Sequence, residues 1–168
     1  MRAAAALLLL GFAACRGDAG RLSVSWTGAD SGSLRVPVRA TWCPLDSVLE
    51  ITGANGDSGI ALALLPADSL APGTYPVMSP GGNIRLRPQA RVALRLFGET
   101  LVSGYYSLSG AVTVDSSPGL SGAFNAVLEG TTNGAQLVME GRFRELDVEP
   151  GVDSCVSTPR STPDTTLP

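Results

Sequence analysis

Four arginines sit in a stretch of the chain that holds no acid. Arg85, Arg87, Arg91 and Arg95 lie between Asp68 and Glu99, and no carboxylate falls between those two. In extended backbone, residues two or four apart share a face, so Arg85 pairs with Arg87 and Arg91 with Arg95. If Pro88, Gln89 and Ala90 form the turn of a hairpin, all four line one surface. Each guanidinium presents a planar fork that matches phosphate or carboxylate. Such a patch fits an anionic glycan, a lipid headgroup or an acidic protein. The plainer reading is a solvated strand face whose charges blunt edge-to-edge pairing.

What the chain lacks narrows its chemistry further. All 12 basic residues are Arg, set against 15 Asp and Glu for a formal net charge of −3, and there is no Lys and no His. Without His there is no Ser-His-Asp or Cys-His site and no imidazole metal ligand. Without Lys there is no Schiff base and no phosphate-loop lysine. An acidic chain with 5% aromatic residues is a poor nucleic-acid binder, so no nucleic-acid partner is expected.

The remaining acid–base apparatus is a carboxylate pair of the glycosidase kind. Candidates are Glu129, Glu140, Glu145 and Asp147. Glu140 shares its parity with Gln136, Val138 and Arg142, an outward strand face, so these read as solvated charges. No catalytic residue is expected, and a glycan hydrolase is the distant alternative. Asn55, Asp57 and Gly59 resemble part of a calcium loop, but the further oxygen ligands and closing Glu do not follow. Local turn bonding explains them, and no metal or cofactor is expected. Trp26, Trp42, Tyr75, Tyr105 and Tyr106 would make a sugar platform if exposed together; core packing is the expectation for the tryptophans.

The elements that must position these residues read as strands. Leu34, Val36, Val38 and Ala40 alternate with Arg35 and Arg39, and Val92, Leu94 and Leu96 alternate with Arg91, Ala93 and Arg95. Pro37 cannot donate to a ladder and points to an edge or a bulge. Val48 to Thr52 and Ile60 to Leu65 form a hairpin around Gly53–Gly59. Leu120 to Glu129 and Ala135 to Leu146 flank Asn133-Gly134, a strong hairpin signal. A further strand runs near Tyr105 to Val114. The fold class is all-β: an antiparallel β-sandwich of about nine or ten strands, with a small closed β-barrel binding lipid or another small ligand as the alternative. Leu108-Ser-Gly-Ala-Val, Leu120-Ser-Gly-Ala-Phe and Met139-Glu-Gly-Arg-Phe share one frame. It predicts inward glycines opposite bulky partners, with Phe124 and Phe143 filling the space.

The N-terminus reads as an address. Arg2 is followed by the apolar run Ala3–Leu10, too short to span a membrane. Phe12-Ala13-Ala14-Cys15 then resembles the lipobox of bacterial lipoproteins, with Phe12 in place of the usual aliphatic residue. The resemblance implies a signal peptide over 1–14 and a mature chain that begins at Cys15. There Cys15 carries a diacylglycerol thioether and an N-acyl chain such as palmitate, which together anchor stably. Arg16, rather than Asp, follows the cysteine and implies the outer membrane. Residues 104–146 are similar to uncharacterised β-sandwich lipoproteins, a group with no activity to carry over. A tether over 15–20 leads to one domain over 21–156. In 157–168, nine of twelve residues are Ser, Thr or Pro, a disordered tail.

With Cys15 assigned to the anchor, Cys43 and Cys155 remain. An exported context allows them to form a disulfide; two separate buried thiols are the alternative. The expected function is a lipid-anchored, non-catalytic binding or structural module of the bacterial cell envelope. Its partners are the membrane, through the anchor, and an anionic glycan, headgroup or envelope protein.

Overall fold

The computed structural model describes residues 20–83, 86–116, 119–151 and 155. The leader expected over 1–14, Cys15 and the rest of the tether before Gly20, Arg85, and the tail over 157–168 lie outside the described residues.

Among the described residues every regular element is a strand. They are β1 (Arg21–Gly28), β2 (Gly32–Pro37), β3 (Arg39–Cys43), β4 (Val48–Ala54), β5 (Ser58–Leu65), β6 (Gly73–Pro76), β7 (Gln89–Phe97), β8 (Val102–Val114), β9 (Leu120–Gly130), β10 (Gln136–Leu146) and β11 (Val148–Pro150). All belong to one sheet in the order β11-β3-β4-β5-β7-β8-β9-β10-β1-β2, with β6 paired beside β8. Pairing is antiparallel except between β11 and β3. The fold is therefore all-β, a curled open sheet that forms a half-barrel.

Chain continuity enforces the curl. β2 lies at one end of the sheet, yet Val38 alone separates it from β3 near the other end. Likewise Asp147 alone separates β10 from β11. Two one-residue links thus join strands that lie near opposite ends of the sheet. Gly53 of β4 lies beneath Val36 and Val38, in a space that would not admit a Cβ. Pro37 ends β2, the strand at the sheet's end, where its missing N–H costs no inner ladder bond.

The period-two pattern puts one side chain in two on the concave face. Leu22, Val24 and Trp26 of β1, Leu49 and Ile51 of β4, and Ile60, Leu62 and Leu64 of β5 all join a single buried cluster. Val92 and Leu94 of β7 enter the same core, as do Leu137, Met139 and Phe143 of β10. β8 keeps its place in this core only through a bulge. Tyr105 and Ser107 point inward, the register shifts between Ser107 and Ser109, and Val112 and Val114 then point inward from the opposite parity. Ser107, 1% exposed, stitches the irregularity. Its Oγ accepts from Val92 N at 3.1 Å and donates to Met78 O at 3.0 Å.

The repeated glycine frame packs as its sequence predicts at two of its three copies, whereas Gly110 lies opposite Ala126 and against the backbone of Asn125. Gly141 pairs with Phe124, and Gly122 with Phe143, across the β9–β10 ladder. A Cβ at either glycine would strike the facing phenyl ring. Cys43, at the end of β3, is disulfide-bonded to Cys155, with Cα atoms 5.6 Å apart across 112 residues of sequence. The link secures the chain beyond β11, where Gly151 N donates to Trp42 O at 2.7 Å.

Candidate functional site

The convex face of the sheet is uneven because its outward residues differ in size. β5 presents Gly59, Ala61 and Ala63 there, and β7 adds Ala93. These short side chains form a low floor. Longer outward groups rise around it: Glu50 from β4, Arg91 and Arg95 from β7, and Tyr106 from β8. The register sets the rows. Glu50 lies opposite Ala63, which lies opposite Arg91. One step along, Thr52, Ala61, Ala93, Tyr106 and Glu129 run in line across five strands.

Two adjoining hollows occupy this floor. One, of about 240 Å³, is bounded by Glu50, Leu65, Pro80, Arg91 and Tyr106 over Ala61, Ala63 and Ala93. The other, of about 900 Å³, continues over the same Ala61 and Ala93 toward Arg39, Arg95 and Phe97. The smaller is mostly apolar, with its polar groups at the rim.

Arg91 is the unusual member. Its Nε and Nη2 are shut off from solvent and have no hydrogen-bond partner. Two residues earlier on the same side of β7, Gln89 is 1% exposed, and both its amide atoms also lack partners. Buried polar groups are seldom left in this state, because desolvation without a compensating bond is costly. At the rim, Tyr106 donates its hydroxyl to Glu129 Oε2 at 3.1 Å. That bond, with some desolvation and the carboxylate charge, raises the Tyr106 pKa above the usual tyrosine value.

The four clustered arginines take different places. Arg85 lies outside the described residues. Arg87 turns to the β3–β4 turn and the end of β5, where Nη1 donates to Ser47 O and Pro66 O and Nη2 to Asp46 O, all at 3.1–3.2 Å. Pro88 to Ala90 do not make a hairpin turn. Gln89 and Ala90 already belong to β7, paired with Leu65 and Leu64 of β5. Arg91 and Arg95 share the convex face, one at each hollow.

The other sequence candidates do not converge. Glu140 borders a hollow with Ser25 and Arg142, Glu145 borders another with Arg35 and Arg144, and Glu129 holds Tyr106. Asn55 Oδ1 accepts from Asp57 N, Ser58 N and Ser58 Oγ at 2.8–3.3 Å, which is turn bonding. Trp26, Tyr75 and Tyr105 are buried, and only Trp42 and Tyr106 are partly open. The small-residue floor escaped the sequence reading, although its signal was present. Outward positions of β5 carry Gly and Ala where a solvated strand face would carry charge. Compared with known families, characterised proteins and solved structures, the chain matches none.

Proposed function

We propose that this chain is a lipid-anchored protein of the bacterial cell envelope, a non-catalytic module that binds through the convex face of its sheet. The Cys43–Cys155 disulfide carries the reading. Disulfides persist in oxidising compartments, so the bond supports export. Export in turn agrees with the apolar leader and with Cys15 as the anchoring residue. Arg16 after that cysteine favours the outer membrane. The curl of the sheet is read as a β-sandwich folded about two corners, Val38 and Asp147, the links between strands near opposite ends of the sheet. Residues 21–156 form that single domain.

Arg91 and Arg95 at the convex hollows support an anionic partner, whether glycan, headgroup or envelope protein. Arg87 holds the adjoining turn. The Cys15→Ala chain tests the anchor by fractionation. It should move from the membrane to the soluble periplasmic fraction. Retention in the membrane fraction would refute the assignment.

A further inference from the structure

We propose that four outward arginines of β1, β2 and β10, Arg21, Arg35, Arg142 and Arg144, dock the domain onto an anionic phospholipid surface, where their guanidiniums meet headgroup phosphates. The inference deepens the envelope reading and rests on the Cys15 anchor for its orientation.

The strand register gathers these arginines from distant parts of the chain. Arg35 of β2 and Arg142 of β10 lie on either side of Ser23 of β1 in one row. Two residues along β1, Arg21 lies directly opposite Arg144. All four are exposed, and all four line one hollow of about 440 Å³. Two strand spacings set Arg35 and Arg142 about 10 Å apart, within about one screening length at moderate salt, so their fields add. The acids beside them are Glu145, at the hollow, and Glu140, two residues before Arg142 on β10. Four cations against two acids make this corner basic on a chain whose net charge is −3. Like charges directly opposite each other destabilise a sheet, so the Arg21–Arg144 pairing costs the isolated fold a little. An anionic surface removes that cost, and the planar fork of each guanidinium matches phosphate.

The point where the chain enters the fold selects a bilayer over a soluble anion. Gly20 borders the same hollow and is fixed there. Its carbonyl accepts from Val38 N at 3.0 Å, and a Cβ on it would strike Leu146. Cys15 stands five residues earlier, a span of at most about 18 Å. An acylated Cys15 therefore holds the patch within one short tether of the headgroups, where weak contacts act at high effective concentration. The anchor and the basic patch are then two membrane signals acting together.

The test uses the full chain carrying Cys15→Ala, so that acylation makes no contribution. Co-sedimentation measures its binding to vesicles of phosphatidylcholine alone or mixed with an equal part of phosphatidylglycerol. The mixed vesicles should bind it at least about tenfold more tightly, because each arginine near an anionic surface contributes about fivefold. That preference should vanish between about 0.1 M and about 1 M salt, as the screening length falls from roughly 10 Å to roughly 3 Å. Arg142→Gln should weaken binding about fivefold, and Arg35→Gln with Arg142→Gln at least about tenfold, while Arg95→Gln on β7 changes it by less than about twofold. Every sample carries the same residues 1–14, so their contribution cancels between variants. Equal binding to both vesicle types would overturn the proposal, as would a preference that survives the salt, and neither comparison needs a variant to fold. An equal loss in Arg95→Gln and Arg142→Gln would also overturn it, by tracing the effect to net charge. So would tighter binding to polygalacturonate than to the mixed vesicles, lost in the double variant, the mark of an acidic glycan. Failure of the anchor would appear in cell fractionation and not in these vesicle measurements, so the two readings fail separately.

Discussion

Phe143 on β10 occupies the space that a side chain at Gly122 on β9 would need. The reciprocal pair, Phe124 over Gly141, lies two residues along the same ladder. Both rings are buried in the concave core. The two strands thus interlock by alternating nothing with a phenyl ring, a tighter fit than two medium side chains would give.

This interlock predicts a coupled cost. Gly141→Ala should destabilise the fold by about 1–3 kcal/mol, because the Phe124 ring must yield. Shrinking that ring by Phe124→Leu in the same chain should recover part of the loss, giving a clear coupling energy in denaturant melts. Gly122→Ala should cost more than Gly141→Ala. Its new methyl would meet the backbone oxygen of Thr113 as well as Phe143.

A second prediction concerns the β8 bulge. Ser107→Ala removes the acceptor for Val92 N and the donor to Met78 O. It leaves a buried N–H without a partner, at a cost of about 1–3 kcal/mol. Hydrogen exchange at Val92 should accelerate more than at Leu94, a neighbour in the same strand.

The disulfide yields a third. In the chain-entropy view a crosslink spanning 112 residues contributes at most roughly 5 kcal/mol. For a chain of this size each kcal/mol shifts the melting temperature by about 2–4 °C. Dithiothreitol should therefore lower the melt by several degrees or more. The same treatment should leave a Cys43→Ala, Cys155→Ala double variant unmoved.

Tyr106 supplies the pH prediction. Its proton is held by the bond to Glu129, by desolvation and by the carboxylate charge, in that order. A group whose folded pKa is raised contributes stability below its unfolded pKa and loses it as pH climbs through the folded value. The contribution should therefore be present below pH 10.0 and fade above it. Ultraviolet titration of tyrosinate should show Tyr106 titrating late, and Glu129→Gln should bring it back toward the ordinary range.

Much of this architecture is written in local pattern. The alternation of β5 and β7 marks which side chains are buried, and the Gly–Phe frame anticipates the interlock of β9 with β10. Asn133-Gly134 sits in the β9–β10 turn, where Asn133 Oδ1 accepts from Ala135 N at 3.0 Å. What was illegible depends on contacts distant in sequence. The strand read near Tyr105 to Val114 carries no local mark of a bulge, and the register shift sits where Ser107 bonds Val92 and Met78 across the fold. Arg87 looked like one of a patch, but its fork finds three carbonyls more than twenty residues earlier in the chain. The hollow at Arg91 draws on β4, β5, β7, β8 and Pro80, and no single window of sequence contains it.

In the proposed function an acylated Cys15 tethers this sheet to the bacterial envelope. Mass spectrometry of the N-terminal peptide, purified from membranes of expressing bacteria, tests it directly. The account predicts a chain that begins at Cys15 and carries the added mass of a diacylglycerol thioether and an amide-linked acyl group. A chain that retains residues 1–14, or one that carries Cys15 without acylation, would contradict it.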